Sequence, residues 1–414
     1  MIRKRSQILY LVLSAGSLGL SVLYTAMLAR FLGGELYGRY AVLIHVGFLL
    51  TPLTALVPNL IFSLVHSGDE RSPSLGAFVR FFLVLATGSF PLAYLVLSVF
   101  PIATDASSTQ KFLALLSLYA NVFLLIHQSF YQTRNQYPRF LSQQIAAFAL
   151  KALGAVVIFS LFVPFTIEWA LTINFLGTLA WITFSGRDLR ERTKMSEAAI
   201  LPKSFLKYLE NSKRILLPSL LLTFWALLLH SLDILMAQKV FTAADLSVYA
   251  VISSISKVTL ILPSVVTPLV LEFGYKNRAI GEVPASAMVS SMALTLVIGL
   301  FISLLGHLLA PWLMPFLFQR DFAFQGWSVP LLVLAMSFLA MLSFYVHYDF
   351  GRGRYWPLGL SLATLACIFG IFLYLPRGLS LIQYSGFIFA WPILNFTLLF
   401  IRSWLTRAAT RNLI

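Results

Sequence analysis

Twelve stretches of this chain are long and apolar enough to cross a bilayer as helices, and that leaves few folds open. A hydrocarbon layer about 30 Å thick takes roughly 20 residues of helix. The qualifying segments fall at about 7–30, 40–65, 77–100, 112–132, 139–163, 166–186, 215–237, 246–271, 286–308, 329–350, 357–375 and 382–401. Pro164 and Glu168 mark the split between the fifth and the sixth. The first stretch is too long for a signal-peptide core and no small-residue cleavage site follows it, so it is expected to remain a membrane helix. Composition agrees: 59% of residues are apolar and 11% charged, against roughly 45–50% and about 25% in soluble domains. A soluble protein of 414 residues could not cover its surface with so few charges. The fold class expected is an all-α integral membrane protein with about 12 transmembrane helices.

The net charge of +15 would suggest nucleic acid in a soluble protein, but its placement gives another reason. With a cytoplasmic N-terminus, 22 of the 30 Lys and Arg residues fall on the cytoplasmic side. Six fall outside (Arg30, Arg39, Lys111, Lys239, Arg320 and Arg377) and two lie within helices. This is the positive-inside bias; it places both termini in the cytoplasm and the basic excess against anionic headgroups. The single Cys367 excludes a disulfide framework and a cysteine metal cluster within one chain.

The longest polar stretch, Arg187 to Arg214, holds eight Lys/Arg and four Asp/Glu and divides the helices six and six. Short surface helices over 192–201 and 203–212 are expected there. The domain reading is 1–186 as an N-terminal six-helix bundle, 187–214 as a cytoplasmic linker and 215–414 as a C-terminal bundle. The halves also echo each other. An ungapped offset of 209 aligns Met27 with Met236, Arg30 with Lys239, and Tyr40-Ala41-Val42 with Tyr249-Ala250-Val251. A second echo, at offset 218, relates Arg134 and Tyr137 to Arg352 and Tyr355. Six is even, so the repeat is parallel, about an axis along the membrane normal. Such duplications belong to transporters that rock one half against the other around a midplane site.

Charges within the bilayer cost about 2.5–3.5 kcal/mol each by insertion scales and usually have a task. Lys151 lies about halfway along the fifth segment and Lys257 about halfway along the eighth, one in each half. Asp233 lies in the outer third of the seventh, with His230 three residues before it, a candidate pair for proton or ion coupling. His45, His127 and His347 are also intramembrane. Two readings stand side by side. In one, Lys151 and Lys257 line a cationic cavity with Arg30 and Arg39 at its outer mouth, a set suited to phosphate or pyrophosphate. In the other, Lys257 pairs with Asp233, Lys151 snorkels to an interface, Glu35 neutralises one arginine, and the histidines pack. There is no Gly-rich phosphate loop, so ATP hydrolysis is not expected, and no His, Asp and Glu stand at metal spacing.

Four landmarks carry a family resemblance. They are Ala29-Arg30-Phe31-Leu32-Gly33 with Tyr37-Gly38 and Tyr40-Ala41, and Asp233-Ile234-Leu235 leading through Tyr249-Ala250 and Lys257 to Leu262-Pro263-Ser264. The third is Pro315-Phe316-Leu317-Phe318 with Phe322, and the fourth Gly351-Arg352 with Tyr355. Together they span nearly the whole chain. The chain resembles the bacterial polysaccharide-lipid flippases of the Wzx type, within the multidrug/oligosaccharidyl-lipid/polysaccharide exporter superfamily. It departs from the family at Gly34, where relatives often carry Pro or Ser, and Lys151 matches no family position.

The resemblance implies a fold of two six-helix bundles around a central cavity, and a transporter, not an enzyme. It would flip an undecaprenyl-pyrophosphate-linked oligosaccharide from the inner to the outer leaflet of the bacterial inner membrane, for O-antigen, capsule or exopolysaccharide assembly. Lys257 stands close to where relatives place a cavity cation. Lys151, Arg30 and Arg39 complete the expected substrate-binding set. No cofactor and no nucleic acid are implied. The partners implied are the lipid-linked oligosaccharide, membrane lipids, a polysaccharide polymerase and a chain-length regulator, with the chain itself a monomer. Two other readings stay open: a cation-coupled drug antiporter of the same superfamily, and a membrane polymerase or ligase acting on lipid-linked sugars.

Overall fold

Inside lipid every backbone N–H and C=O must find its partner within the protein, which favours continuous helices. The chain follows that rule. In a computed structural model, the residues described are 4–65, 75–99, 106–133, 137–161, 164–193, 213–257, 259, 285–318 and 326–411. Among them are thirteen helices of four turns or so and longer, and no strand. In order they are α1 (Lys4–Leu32), α2 (Gly34–Leu49), α3 (Pro52–Val65), α4 (Leu75–Val99), α5 (Ser108–Thr133), α6 (Tyr137–Leu161) and α7 (Ile167–Thr193). There follow α8 (Lys213–Val240), α9 (Ala243–Ser256), α10 (Ala285–Phe318), α11 (Ser328–Gly351), α12 (Trp356–Leu373) and α13 (Leu381–Arg411). Among the described residues α4, α5, α6, α8, α11, α12 and α13 are long and apolar enough to cross a membrane, and shorter apolar stretches lie in α1, α9 and α10. The chain is a multi-pass membrane protein.

Most expected segments coincide with one helix, and the split at Pro164 is real, with α6 ending at Leu161 and α7 beginning at Ile167. Three differences have local causes. The expected segment 40–65 is two helices, broken at Leu50 and Thr51. Pro52 has no N–H and disfavours a helical residue before it, so it starts a helix instead of continuing one. The break is repaired by hydroxyls: Thr51 Oγ1 donates to the Phe48 carbonyl (2.8 Å) and Thr54 Oγ1 to the Thr51 carbonyl (3.0 Å). The outer loop expected over 309–328 is helical as far as Phe318, α10 running through Pro311 and Pro315. The eighth segment begins as α9, capped by Thr242, whose Oγ1 accepts from the Asp245 N–H (3.3 Å). The surface helices expected over 192–201 and 203–212 lie outside the described residues apart from 192–193, which belong to α7.

The chain divides into two compact units. The first comprises Met1–Leu235, Leu246–Val251 and Leu317–Gln319. Within it α6 packs on α1, α5 and α7, and α5 also packs on α3 and α4. Leu60, Ile61, Phe78 and Ile126 form its fully buried centre. Stacked Phe31 and Phe159 (3.9 Å between centroids), with Phe165, join α1 and α6 to the start of α7. The second unit comprises Met236–Asp245, Ile252–Phe316 and Arg320–Ile414. There α11 and α12 pack on α13, and buried Asn395 of α13 donates to Ser361 Oγ (2.9 Å) and Thr364 Oγ1 (2.7 Å) of α12.

The sequence echoes have structural counterparts. Gly34 and Ala243, the first residues of α2 and α9, stand 209 apart, the offset of the first echo. Tyr40, Ala41, Val42, Tyr249, Ala250 and Val251 are all buried. Thr133 and Gly351, the last residues of α5 and α11, stand 218 apart, the offset of the second.

Candidate functional site

The most developed intramembrane polar site lies in the first unit, where α5, α6 and α7 meet. Along α6, Leu153, Val156 and Val157 are exposed, whereas Lys151, Ala152 and Ala155 are buried. Lys151 is therefore turned inward at 5% exposure, and it does not snorkel. Its Nζ donates to Asn121 Oδ1 of α5 (3.1 Å) and lies over the Phe148 ring (5.6 Å to the centroid). The same amide oxygen accepts from Thr178 Oγ1 of α7 (3.0 Å), a hydroxyl shared with the Asn174 carbonyl (2.8 Å). The lysine stem crosses α7 at Gly177, where an added Cβ would fall 2.6 Å from Lys151 Cγ and 3.3 Å from its backbone. Among the described residues no carboxylate contacts Lys151; its partners are a neutral amide oxygen and a π face.

Beside this cluster Leu124, Ala147 and Trp181 form an apolar group from the same three helices. His127 follows on α5, edge-on to Phe123 (4.8 Å) and Trp181 (6.1 Å). It is 1% exposed, and neither ring nitrogen has a hydrogen-bond partner among the described residues.

A second group centres on α8, still within the first unit. Asp233 is buried and accepts from Tyr249 Oη (3.2 Å). His45 of α2 meets buried Ser231 (Nδ1 to Oγ, 3.3 Å). His230 is half-buried, three residues before Asp233.

The remaining expected residues lie elsewhere. Lys257, in the second unit, is buried and forms the C-cap of α9, its N–H donating to the Ser253 carbonyl (2.9 Å); of the expected segment 246–271, residues 258 and 260–271 lie outside those described. Ser256 and Thr259 turn their hydroxyls back on the Ile252 and Ser256 carbonyls. A cation at that end suits the helix dipole. Arg30 and Arg39 are exposed around the α1–α2 turn. That turn needs Gly33, whose φ of 72° is costly for other residues. Arg39 pairs with Glu35 (2.8 Å), as one of the two sequence readings has it.

The sequence reading missed Asn121, Phe148, Thr178 and Gly177 as the surroundings of Lys151. Asn121, Asn174 and Thr178 were available as polar residues within apolar segments at comparable depth. It also missed a cleft of about 470 Å³ in the second unit, lined by Lys239, Asp245 and Arg377 among others. There Lys239 Nζ donates to the Leu373 carbonyl at the end of α12 (2.6 Å).

Comparisons with known proteins give the fold a context. No protein-family profile matches the chain, and no curated protein matches it in sequence. Solved structures do. An outward-facing multidrug resistance MATE family transporter of the MOP superfamily superposes with a TM-score of 0.63 at 14% identity, over 98% of this chain and 96% of that one. An inward-facing structure of such a transporter gives 0.64 at 14%, over 97% and 99%. A mutant of the Vibrio cholerae MATE transporter VcmN gives 0.60 at 12%, over 94% and 97%. At these identities the likeness establishes the fold: this chain has the architecture of the MATE transporters over nearly its whole length.

Proposed function

We propose that the chain is a secondary carrier, working by alternating access in the bacterial inner membrane with both termini in the cytoplasm. Two six-helix halves, 1–186 and 215–414, would be joined by 187–214 around the passage. The observation that carries this reading is the end-to-end fold match to membrane transporters. A polymerase or ligase draws no support from these neighbours, which are transporters.

Two cargoes fit such a carrier. The comparisons favour the first, drug-like compounds exchanged for a cation, since two of the neighbours are described as multidrug resistance transporters. Buried Asp233, held by Tyr249, with His230 nearby, supports it as a place where a proton or cation is exchanged. The second cargo is an undecaprenyl-pyrophosphate-linked oligosaccharide moved to the outer leaflet. Buried Lys257, exposed Arg30 and Arg39 and the net charge of +15 support that reading, because cations suit a pyrophosphate and repel cationic drugs. Lys151 is engaged within its own three-helix seam and is not among the cargo contacts proposed.

Expression in two hosts separates them. In a strain lacking its own efflux pumps, drug exchange predicts lower ethidium accumulation. In a strain lacking its polysaccharide-lipid flippase, lipid flipping predicts restored surface polysaccharide. At normal protein levels, ethidium accumulation equal to that of the empty vector counts against the first cargo, and unrestored polysaccharide removes the second.

A further inference from the structure

We propose that Lys151 binds the coupling proton of this carrier, as an ammonium in one part of the cycle and as a neutral amine in another. The coupling role rests on the carrier reading; the proton site itself rests on geometry alone.

Three observations meet at this residue. First, a buried ammonium is normally matched by a carboxylate or by several acceptors, because removing a charge from water is costly. Lys151 is 5% exposed and among the described residues has one oxygen acceptor, Asn121 Oδ1. Second, that contact serves both protonation states. A neutral amine still carries N–H donors, so the bond to Asn121 survives loss of the proton, while Thr178 Oγ1 and Phe148 keep their places. The site thus gains or loses one positive charge without losing its geometry. Third, Gly177 admits the stem against α7, so that Nζ is held in the seam between α5, α6 and α7.

The groups that could instead account for the charge are few. The helices packed on α6 are α1, α5 and α7. Their titratable side chains among those described are Tyr24 and Arg30 on α1, Lys111, Tyr119, His127 and Tyr131 on α5, and Glu168 on α7. None bonds to Lys151. Tyr119 bonds to Ser89 (2.8 Å) and Glu168 accepts from Gln110 (2.7 Å). His127 meets the Trp181 ring, which forms an apolar group with Leu124 and Ala147. The proton balance is simple: the ammonium releases one proton to water, and the amine recovers one.

Two variants and two readouts test this. Lys151→Met abolishes titration, and Lys151→Arg keeps charge and donors but stays protonated. Both are first checked for a monodisperse chromatographic profile. The first readout needs no cargo: protons bound by purified protein are counted from about pH 6 to about pH 9, where an ordinary exposed lysine keeps its proton. Wild type is expected to release about one proton per chain more than either variant. Equal counts overturn the proposal whatever the cargo proves to be. The second readout uses liposomes, with ethidium and a fluorescent undecaprenyl-pyrophosphate-linked oligosaccharide as separate probes. Accumulation driven by a pH gradient should fall at least tenfold in both variants, while exchange without a gradient falls less than threefold. Rescue of gradient-driven accumulation by Lys151→Arg would overturn proton coupling in favour of a fixed-charge role. Wild type that moves neither probe would overturn the carrier reading and the coupling with it, a result distinct from equal proton counts.

Discussion

Lys151 Nζ and Asn121 Oδ1 stand 3.1 Å apart across the α5–α6 contact, a cation held by a neutral amide with no carboxylate in contact among the described residues. The arrangement is informative because the usual solution for a buried charge is a partner of opposite sign. Here Asn121 meets both Lys151 and Thr178, so one amide oxygen ties three helices together. Asn121→Leu removes that acceptor and leaves the Lys151 ammonium with the Phe148 face alone, while Thr178 keeps the Asn174 carbonyl. The expected loss is about 1–3 kcal/mol for the group left unsatisfied, measured as a lowered unfolding midpoint in detergent. Asn121→Gln, which keeps the amide on a longer arm, should lose less.

Gly177 and Lys151 are expected to be coupled. Gly177→Ala puts a methyl group against the lysine stem and backbone, and overpacking of this kind costs about 1–3 kcal/mol. The methyl meets Cγ of the lysine first, so the same change should cost less in a Lys151→Ala background. A double-mutant cycle on unfolding midpoints gives the coupling; additive effects would count against the close contact.

Tyr249→Phe tests the buried carboxylate of α8. The phenol donates to Asp233, and a hydrogen bond to a charged acceptor is worth about 1.5–3 kcal/mol. The variant should unfold earlier, and any drug exchange that uses Asp233 should slow.

Arg39→Ala serves as a contrast. Arg39 and Glu35 are 53% and 59% exposed, and such pairs contribute about 0–1 kcal/mol and less in salt. Stability should change little. A weaker apparent affinity for the lipid-linked oligosaccharide, without a change in stability, would support a place for Arg39 at the mouth of the passage.

Much of the fold was legible because bilayer thickness turns composition into helix positions. Pro164 marked a real end. The Thr51-Pro52 break was hidden within an unbroken apolar run, and the hydroxyl bonds that make it tolerable depend on side-chain direction. The ninth segment was expected to end near 308, yet α10 runs on through Pro311 and Pro315 to Phe318. The site was less legible. Depth identified Lys151 as unusual, but depth does not say which way a side chain points. That it faces Asn121 follows from how α5, α6 and α7 pack, and no spacing within α6 encodes it. Lys257 caps α9, and most of the expected segment beyond it lies outside the described residues.

The central claim is that this chain moves a solute through itself, driven by a gradient. Purified protein in acid-loaded liposomes, given ethidium in one arm and a fluorescent lipid-linked oligosaccharide in the other, tests it directly. The account predicts that at least one probe crosses several-fold faster than in protein-free liposomes, and that a protonophore removes the gradient-dependent part. Rates equal to those of empty liposomes for both probes would contradict it.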